Sequence, residues 1–166
     1  TSHTQQFFTF GGHDAGPLLG TVMVDGAPVI FGSRVGATGP YGLLWTRSGH
    51  TWSPQEARAA LASSPDRELG FSALTQLGDR IVVAGDELGL AGGLNQQPAV
   101  FIGGVRGDWQ ELRLPVPATP DRVPGQLSLA PSVACPATGA SCWVAGWARG
   151  HVRAWPGTVP AGGDAT

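Results

Sequence analysis

The chain has 166 residues, which is enough for one domain and too few for two independent cores of any substance. Its 26 Gly and 14 Pro make about a quarter of the residues, twice the usual share, which excludes a mainly helical protein, while a hydrophobic content of 42% excludes a disordered one. The formal charge of -2 without a block of like charges, and the lack of any apolar run near ~20 residues, predict neither a nucleic-acid partner nor a membrane span.

Short strand candidates follow one another along the chain in sets of four, labelled A to D, after an N-terminal strand at residues 5–10. The A candidates are residues 18–24, 71–77 and 127–133, the B candidates 29–32, 82–85 and 143–146, the C candidates 43–46, 100–103 and 152–155, and the clearest D candidate is 109–114. Behind Trp52, the run Ser53-Pro54-Gln55-Glu56 has the form of a capping box with Pro at the first helical position. It predicts a helix of two to three turns that displaces or shortens the outer strand of the first set.

The chain repeats itself. The B candidates are apolar tetrads that each end in glycine, at Gly32, Gly85 and Gly146, with spacings of 53 and 61 residues. The triplets Pro65-Asp66-Arg67 and Pro120-Asp121-Arg122 stand 55 residues apart, and His13-Asp14 is a weaker counterpart in the first set. A period of about 55 residues divides one domain, residues 1–166, into repeats near 11–62, 63–117 and 118–158, with a tail at 159–166.

Four short strands with hairpin-length links, repeated at this period, are typical of β-propeller blades. The predicted fold class is therefore all-β, with about three four-stranded antiparallel sheets per chain. Because a closed ring has at least four blades, we expect a second chain to complete it, either a second copy in a twofold dimer or a complementary fragment of a longer propeller. Residues 5–10 would then be a D strand that pairs with a C strand of the last blade. A single chain with an open edge is the third option, and sheet-edge chemistry disfavours it.

The turn Thr46-Arg47-Ser48-Gly49-His50-Thr51-Trp52 resembles the Asp-box of the sialidase-like, BNR-repeat propellers, whose short pattern is Ser-x-Asp-Gly-x-Thr-Trp. Thr46 stands at the first Ser and Ser48 at the Asp, while Gly49, Thr51 and Trp52 match. The resemblance covers one turn, and the second copy around Arg106-Gly107-Asp108-Trp109 keeps only fragments of it. It implies a structural hairpin in which Gly takes a positive φ and Trp52 is largely buried between neighbouring sheets.

Strands that alternate in direction place the D-to-A and B-to-C connections on one rim of a propeller, which we call the upper rim. Functional groups concentrate on the loops of a rigid scaffold, so this rim is the expected ligand-binding face. Long B-to-C loops are predicted at residues 34–41 and 86–97. The candidate ligand-binding residues are His13, Asp14, Arg34, Tyr41, Asp66, Arg67, Asp86, Glu87, Asp121 and Arg122.

These residues predict a non-catalytic binding or interaction module for a glycan, peptide or protein, with no catalytic residue, cofactor or metal site assigned. The alternative is a glycoside hydrolase, because the resembling family includes sialidases. Such an enzyme would need Arg34, Arg67 and Arg122 to converge on a substrate carboxylate near Tyr41 and an acid. A third class, an N-terminal nucleophile hydrolase acting through Thr1, requires a different, helix-layered sandwich.

Cys135 and Cys142 bracket a turn-rich segment between two apolar runs, so a hairpin would bring them within bonding distance. We predict that they form a disulfide, the alternative being two unpaired thiols. A disulfide indicates an oxidising compartment, and with it a secreted or extracytoplasmic protein.

Overall fold

The computed structural model of the protein describes residues 7–56, 58–91, 95–116, 128–136, 138 and 140–158. Its first four strands are β1 (Ala15–Val24), β2 (Ala27–Gly36), β3 (Gly39–Ser48) and β4 (Thr51–Pro54). The next four are β5 (Arg67–Leu77), β6 (Arg80–Gly89), β7 (Asn95–Gly103) and β8 (Gln110–Arg113), followed by β9 (Leu129–Ala134), β10 (Ser141–Ala148) and β11 (His151–Thr158). One α-helical turn, α1 (Phe7–Phe10), and a 3-10 helix at Ala59–Leu61 are the helical elements of the described part of the chain.

The strands form three antiparallel sheets in which chain neighbours are also spatial neighbours. Sheet A has the order β1-β2-β3-β4, sheet B the order β5-β6-β7-β8, and sheet C the order β9-β10-β11. The prediction of an all-β chain with about three antiparallel sheets is confirmed. Each predicted A, B and C candidate overlaps a strand in the described residues, and the D candidate at 109–114 contains β8.

Two-residue turns with positive φ close several of the hairpins. Asp25-Gly26 joins β1 to β2 with φ values of 51° and 74°, and Arg149-Gly150 joins β10 to β11 with 52° and 76°. Positive φ at both central residues is the type I′ pattern, whose twist matches that of the flanking strands. The turn that resembles an Asp-box also forms a hairpin, between β3 and β4, with Gly49 at φ 57° as expected.

The three repeated glycines share one structural role. In each sheet the ladder between the first and second strand shifts register, opposite Gly32, around Gly85 and beside Gly146. A Cβ placed at Gly85 would lie 1.9 Å from the Gly70 carbonyl oxygen, and one at Gly146 would lie 2.1 Å from the Leu129 oxygen. These β-bulges press the neighbouring backbone onto the glycine, which explains why the apolar tetrads of the sequence end in a residue without a side chain.

Sheet B lies between the other two sheets. One of its faces packs Leu69, Val83 and Phe101 into a core with Phe31 and Leu44 of sheet A. Its opposite face packs Val82, Ala84 and Val100 into a second core with Ala130, Val144 and Trp155 of sheet C. The hydrophobic cores are therefore the two interfaces of a stack of three sheets.

The upper ends of sheets A and B lie on the same side. Gly20 of β1 approaches Leu74 of β5. Three residues further along β1, the Met23 amide donates to the Gln76 side chain of β5 at 3.2 Å. The strands β1 and β5 therefore advance in the same direction. At the other end of these strands, the hydroxyl of Ser63, in the connection that leads into β5, donates to the Pro40 carbonyl oxygen beside the β2–β3 turn, at 2.6 Å.

The N-terminal segment was predicted to be a strand, and this is wrong for the described residues 7–10, which form α1; positions 5 and 6 lie outside the described residues. The Phe10 ring packs on Trp45 and Trp52 of sheet A, with ring centroids 5.6 and 6.2 Å apart. The Thr9 carbonyl oxygen accepts the Trp45 indole N–H at 2.7 Å. In the helical turn, the Thr9 carbonyl oxygen and the Phe10 ring both contact one face of sheet A. The predicted strand would instead have paired with sheet C.

The helix predicted behind Trp52 is also wrong in extent. Ser53 and Pro54 belong to β4, paired with Thr46 and Trp45, and the Gln55 amide continues this ladder by donating to the Leu44 carbonyl oxygen at 2.8 Å. Ser53, Pro54 and Gln55 of the capping box are therefore used for sheet pairing, and among the described residues that follow, Ala59–Leu61 forms a 3-10 helix without a side-chain cap. Pro54 is tolerated because it lies at the end of an outer strand.

Trp52 was expected to be largely buried between sheets, but it is half-buried and contacts Phe10. Trp109, in the weaker second copy of the motif, is the buried one, and its ring lies 6.0 Å from that of Phe31.

The predicted B-to-C loops are corrected too. Arg34 pairs with Tyr41 inside the β2–β3 ladder, and the ladder of β6 and β7 continues to Gly89 and Asn95. No helix in the described residues combines the length and apolar character that a bilayer crossing requires.

Candidate functional site

We define the upper rim in the structure as the side on which β1, β3, β5 and β7 begin and β2, β4, β6 and β8 end. Eight of the ten predicted ligand-binding residues lie there, while Asp121 and Arg122 fall outside the described residues. The structure joins Asp14 to Arg34 on sheet A and Arg67 to Glu87 on sheet B. Asp86 contacts Gln96, Tyr41 is half-buried beside Arg34 in the ladder, and His13 and Asp66 are exposed.

The pair on sheet A is held by the N-terminal segment. Arg34 Nη1 donates to Asp14 Oδ2 at 2.8 Å, and Nη2 donates to the Thr9 carbonyl oxygen at 3.2 Å. The guanidinium also lies 6.0 Å from the centre of the Trp45 ring, within range of a cation–π contact. Desolvation alone would raise the pKa of Asp14, but the Arg34 hydrogen bond and charge outweigh it and hold that pKa below its ordinary value of 3.8.

Four side chains on sheet B form what we call the charged quartet: Arg67, Glu87, Glu111 and Arg113. Arg113 holds Glu87 in a bidentate pair, with Nε to Oε2 at 3.0 Å and Nη2 to Oε1 at 2.9 Å. Arg67 donates to Glu111 and lies 3.6 Å from Glu87 Oε2. The quartet therefore ties the first strand of sheet B to its outermost strand, and its formal charges cancel.

The two carboxyl groups of the quartet prefer different protonation states. Burial raises the pKa of Glu87, but hydrogen bonds from Glu111 and Arg113 and the charges of both arginines lower it further than that, to below 4.5. Burial is the main cause that raises the pKa of Glu111, the contact with Glu87 adds to it, and Arg67 compensates only in part. Two carboxyl groups in contact cannot both ionise freely, so Glu87 keeps the charge and Glu111 is the group that holds a proton more readily.

Asp86 lies on the other face of β6, toward sheet C. Burial raises its pKa above 3.8, and a hydrogen bond from the Gln96 amide, at 2.8 Å, offsets part of this. Gly70 makes room for the carboxylate, since a Cβ there would lie 2.6 Å from Asp86 Oδ1. Asp86 and Glu87 are therefore neighbours in sequence that serve different sheet interfaces.

Ser63 fixes the upper rim between sheets A and B. Its hydroxyl donates to the Pro40 carbonyl oxygen and accepts the Leu69 amide at 3.0 Å, and its own carbonyl oxygen accepts the Thr38 hydroxyl at 3.0 Å. This buried serine thus links the β2–β3 hairpin to the start of β5. These hydrogen bonds hold the β2–β3 turn against the start of β5 on this side.

Glu111, Arg113, Gln96 and Ser63 were not among the predicted site residues. A signal existed for two of them, because Glu111 and Arg113 alternate with Gln110, Leu112 and Leu114 in the D candidate. Alternation shows that two residues share a face, but not that this face meets a buried carboxylate two strands away. Ser63 and Gln96 carry no comparable pattern.

Both described arginines of the predicted site are already bound to carboxylates of the protein itself, Arg34 to Asp14 and Arg67 to Glu111. Among the described residues, no group of three or more His, Cys, Asp or Glu side chains is arranged to hold a metal ion. The exposed polar side chains of the rim include His13 and Asp66, which can hydrogen-bond to a ligand, and Arg113, which is exposed while it pairs with Glu87.

The disulfide between Cys135 and Cys142 is present, with the two Cα atoms 4.3 Å apart, as the spacing predicted. It closes the lower end of the β9–β10 hairpin, on the side away from the upper rim.

Comparisons with known proteins leave the family undetermined. No protein-family model matches the chain, no curated protein matches it, and no solved structure matches it. The resemblance to the sialidase-like propellers therefore rests on the residues of the β3–β4 turn and on the repeat.

Proposed function

We propose that the chain is a non-catalytic binding module of the sialidase-like β-propeller class, with its ligand on the upper rim. Support for the architecture comes from the three antiparallel sheets, which follow one another in chain order and stack face to face. In this proposal each sheet is one blade, and a second chain or fragment completes the ring. The disulfide supports a secreted or extracytoplasmic location.

The observation that carries the choice of a binding module over a sialidase-like hydrolase is the ion pairing of Arg34 and Arg67. A sialidase-like site offers its arginines to a substrate carboxylate, whereas here Asp14 and Glu111 already occupy these two. A substrate carboxylate could bind these arginines only by breaking the ion pairs that the rim already contains. The ligand we expect is therefore a neutral glycan or a peptide that hydrogen-bonds to the exposed rim.

Glycan and peptide arrays probed with the purified chain test this proposal, followed by affinity measurements on the strongest ligand. A His13→Ala/Asp66→Ala double variant removes two exposed side chains of the upper rim and should weaken binding at least about tenfold. The matched control is His50→Ala/Asp79→Ala, which removes the same two residue types from exposed turns at the lower ends of the strands. We expect the control to bind within about twofold of the parent.

Two results would overturn the proposal. One is a loss of binding in the lower control with full binding in the upper-rim variant. The other is hydrolysis of a fluorogenic sialoside by the parent chain that disappears in Glu87→Gln, which would instead support the glycosidase.

A further inference from the structure

Sheet C turns an apolar face to solvent. Residues of β10 alternate between buried and exposed, and the exposed ones include Trp143 and Trp147, at 57% and 39% of their full accessibility. Val152 of β11, paired with Trp147, is 76% exposed. Ala154 and Pro156 extend the same face, since they pair with Ala145 and Trp143. Ala134 and Ser132 of β9 share this face, since they pair with Trp143 and Ala145, and Ser141 pairs with Thr158 at its lower edge. We call these residues the C face; its centre is apolar, and its polar members are Ser132, Ser141 and Thr158.

The opposite end of the stack has a second apolar face, the outer face of sheet A, which we call the A face. There Leu18 is 47% exposed and Met23 50% exposed on β1, while α1 covers Trp45 nearer to the outer strands. The half of the A face formed by β1 and β2 is therefore open. The other sheet faces are covered within the chain, because the inner face of sheet A packs on sheet B and the inner face of sheet C packs on the opposite side of sheet B.

We propose that the C face docks on the A face of a second copy of this chain, and that two copies pair reciprocally so that the C face and the A face of each copy are both covered. This inference rests on the proposed propeller architecture, because it extends the same sheet-on-sheet stacking from one chain to the next. Reciprocal pairing is the twofold arrangement in which the C face of each copy meets the A face of the other, so that no face is left open.

The area of the faces favours this occupant. Eight residues of β10 span about 26 Å, and three strands are about 14 Å wide, so the C face covers about 370 Å². The open half of the A face, two strands of ten residues, covers about 320 Å². A single contact between a C face and an A face would therefore bury about 700 Å² in total, below the size of a stable interface. Two reciprocal contacts bury about 1,400 Å², which is within the standard size range for a specific complex. The closed pair is therefore favoured over an open, head-to-tail chain of copies.

Light scattering coupled to gel filtration tests the proposal on the intact chain at about 50 μM. We expect a mass near 34 kDa for the parent, twice the 17.0 kDa of one chain. Trp143→Lys/Trp147→Lys on the C face and Met23→Lys on the A face should each give the mass of one chain. The control is Val35→Lys, which places the same charge at a residue 54% exposed, on the side of sheet A that faces sheet B. It should remain a dimer.

Each other result contradicts the inference. A monomeric parent shows that no second copy covers the C face. A dimer that survives Met23→Lys but not the tryptophan variant shows that two C faces pair with each other. Mixing the two monomeric variants adds a check, since one intact C face and one intact A face should restore a weak heterodimer. Each variant should keep a far-UV circular dichroism spectrum like that of the parent and a cooperative thermal transition, which excludes unfolding as the cause of dissociation. Its melting temperature should fall, because the monomer loses the stabilisation that association gives the parent.

The outcome is separable from that of the proposed function. If the parent is a dimer but the upper-rim double variant binds its ligand as well as the parent does, the docking stands and the assigned ligand face is wrong. If the parent is monomeric but the upper-rim variant loses its ligand, the assigned ligand face stands and the docking is wrong.

Discussion

Asp86 and Glu87 show how strongly side-chain environment differs between neighbouring residues of one strand. Glu87 faces sheet A and is held as a carboxylate by Arg113, whereas Asp86 faces sheet C, where burial favours its neutral form. The pKa of Glu87 is lowered and that of Asp86 is raised. These opposite shifts give the two residues opposite effects on how stability depends on pH.

We predict that neutralising each residue changes stability in a different pH range. The lowered pKa of Glu87 stabilises the fold above its ordinary value of 4.5, and this contribution is lost as the pH falls through the lowered value. Glu87→Gln should therefore cost about 2–4 kcal/mol at pH 7, where it leaves two arginines short of a partner, and less in acid. Urea denaturation from pH 3 to 7 measures this.

Asp86→Asn is the matched variant. The raised pKa of Asp86 contributes stability that is present below 3.8 and is lost as the pH rises through the raised value. Asparagine keeps an acceptor for Gln96 but has no charge to bury, so the variant should gain stability relative to the parent as the pH rises from 3 to 7. An unchanged difference between variant and parent across this range would show that Asp86 is not desolvated by sheet C.

Gly85 provides the sharpest test of the repeated bulge. We predict that Gly85→Ala destabilises the protein by about 3 kcal/mol or more, because its Cβ would meet a backbone carbonyl that cannot move without breaking the β5–β6 ladder. Gly107→Ala is the control, since a Cβ there has no neighbour within 4 Å. Equal melting temperatures for the two variants would contradict the bulge at Gly85.

Among the elements, the β9–β10 hairpin is the one stabilised covalently. The Cys135–Cys142 disulfide joins its two strands at the lower end, and Cys142 also packs in the core between sheets B and C. We predict that Cys135→Ser/Cys142→Ser lowers the free energy of unfolding by about 2–3 kcal/mol, because the open hairpin gains conformational entropy when unfolded. Chemical denaturation of both forms measures this, and a thiol assay on the denatured, unreduced parent should find no free thiol.

The elements that the sequence predicted correctly are those that carry a period of two or a positive-φ turn. The strands on either side of Asp25-Gly26 and the strand that precedes Gly49 are examples, because such turns restrict the chain to a hairpin. The segment at residues 7–10 could not be assigned in this way, since three aromatic residues in four fit a strand and a helix equally well. Its conformation depends on Trp45 and Trp52, which are 35 or more positions away, and on the Thr9 carbonyl oxygen.

At the scale of the molecule, the sequence predicted the number and type of sheets but not the pairing of charges across them. Asp66-Arg67 was singled out as a repeated turn, yet the role of Arg67 follows from Glu111, which lies on the fourth strand of the same sheet. Such a contact depends on the register of three successive ladders, and no local pattern reports that register. The packing of one sheet on another could likewise be predicted only in outline. The apolar alternation of β10 distinguishes the two faces of the strand, but it does not show which face another sheet covers.

The uneven burial of the six tryptophans has a spectroscopic consequence. Trp45, Trp109 and Trp155 are buried, whereas Trp143 and Trp147 lie on the C face. Emission from the buried indoles reports the two cores, and most of the accessible emission reports the C face, with a smaller contribution from the half-buried Trp52 of sheet A. Acrylamide should therefore quench a red-shifted fraction of the fluorescence in dilute solution, and that fraction should become protected as the chain is concentrated. The molecule thus carries an optical probe at the surface where we place its association, without any added label.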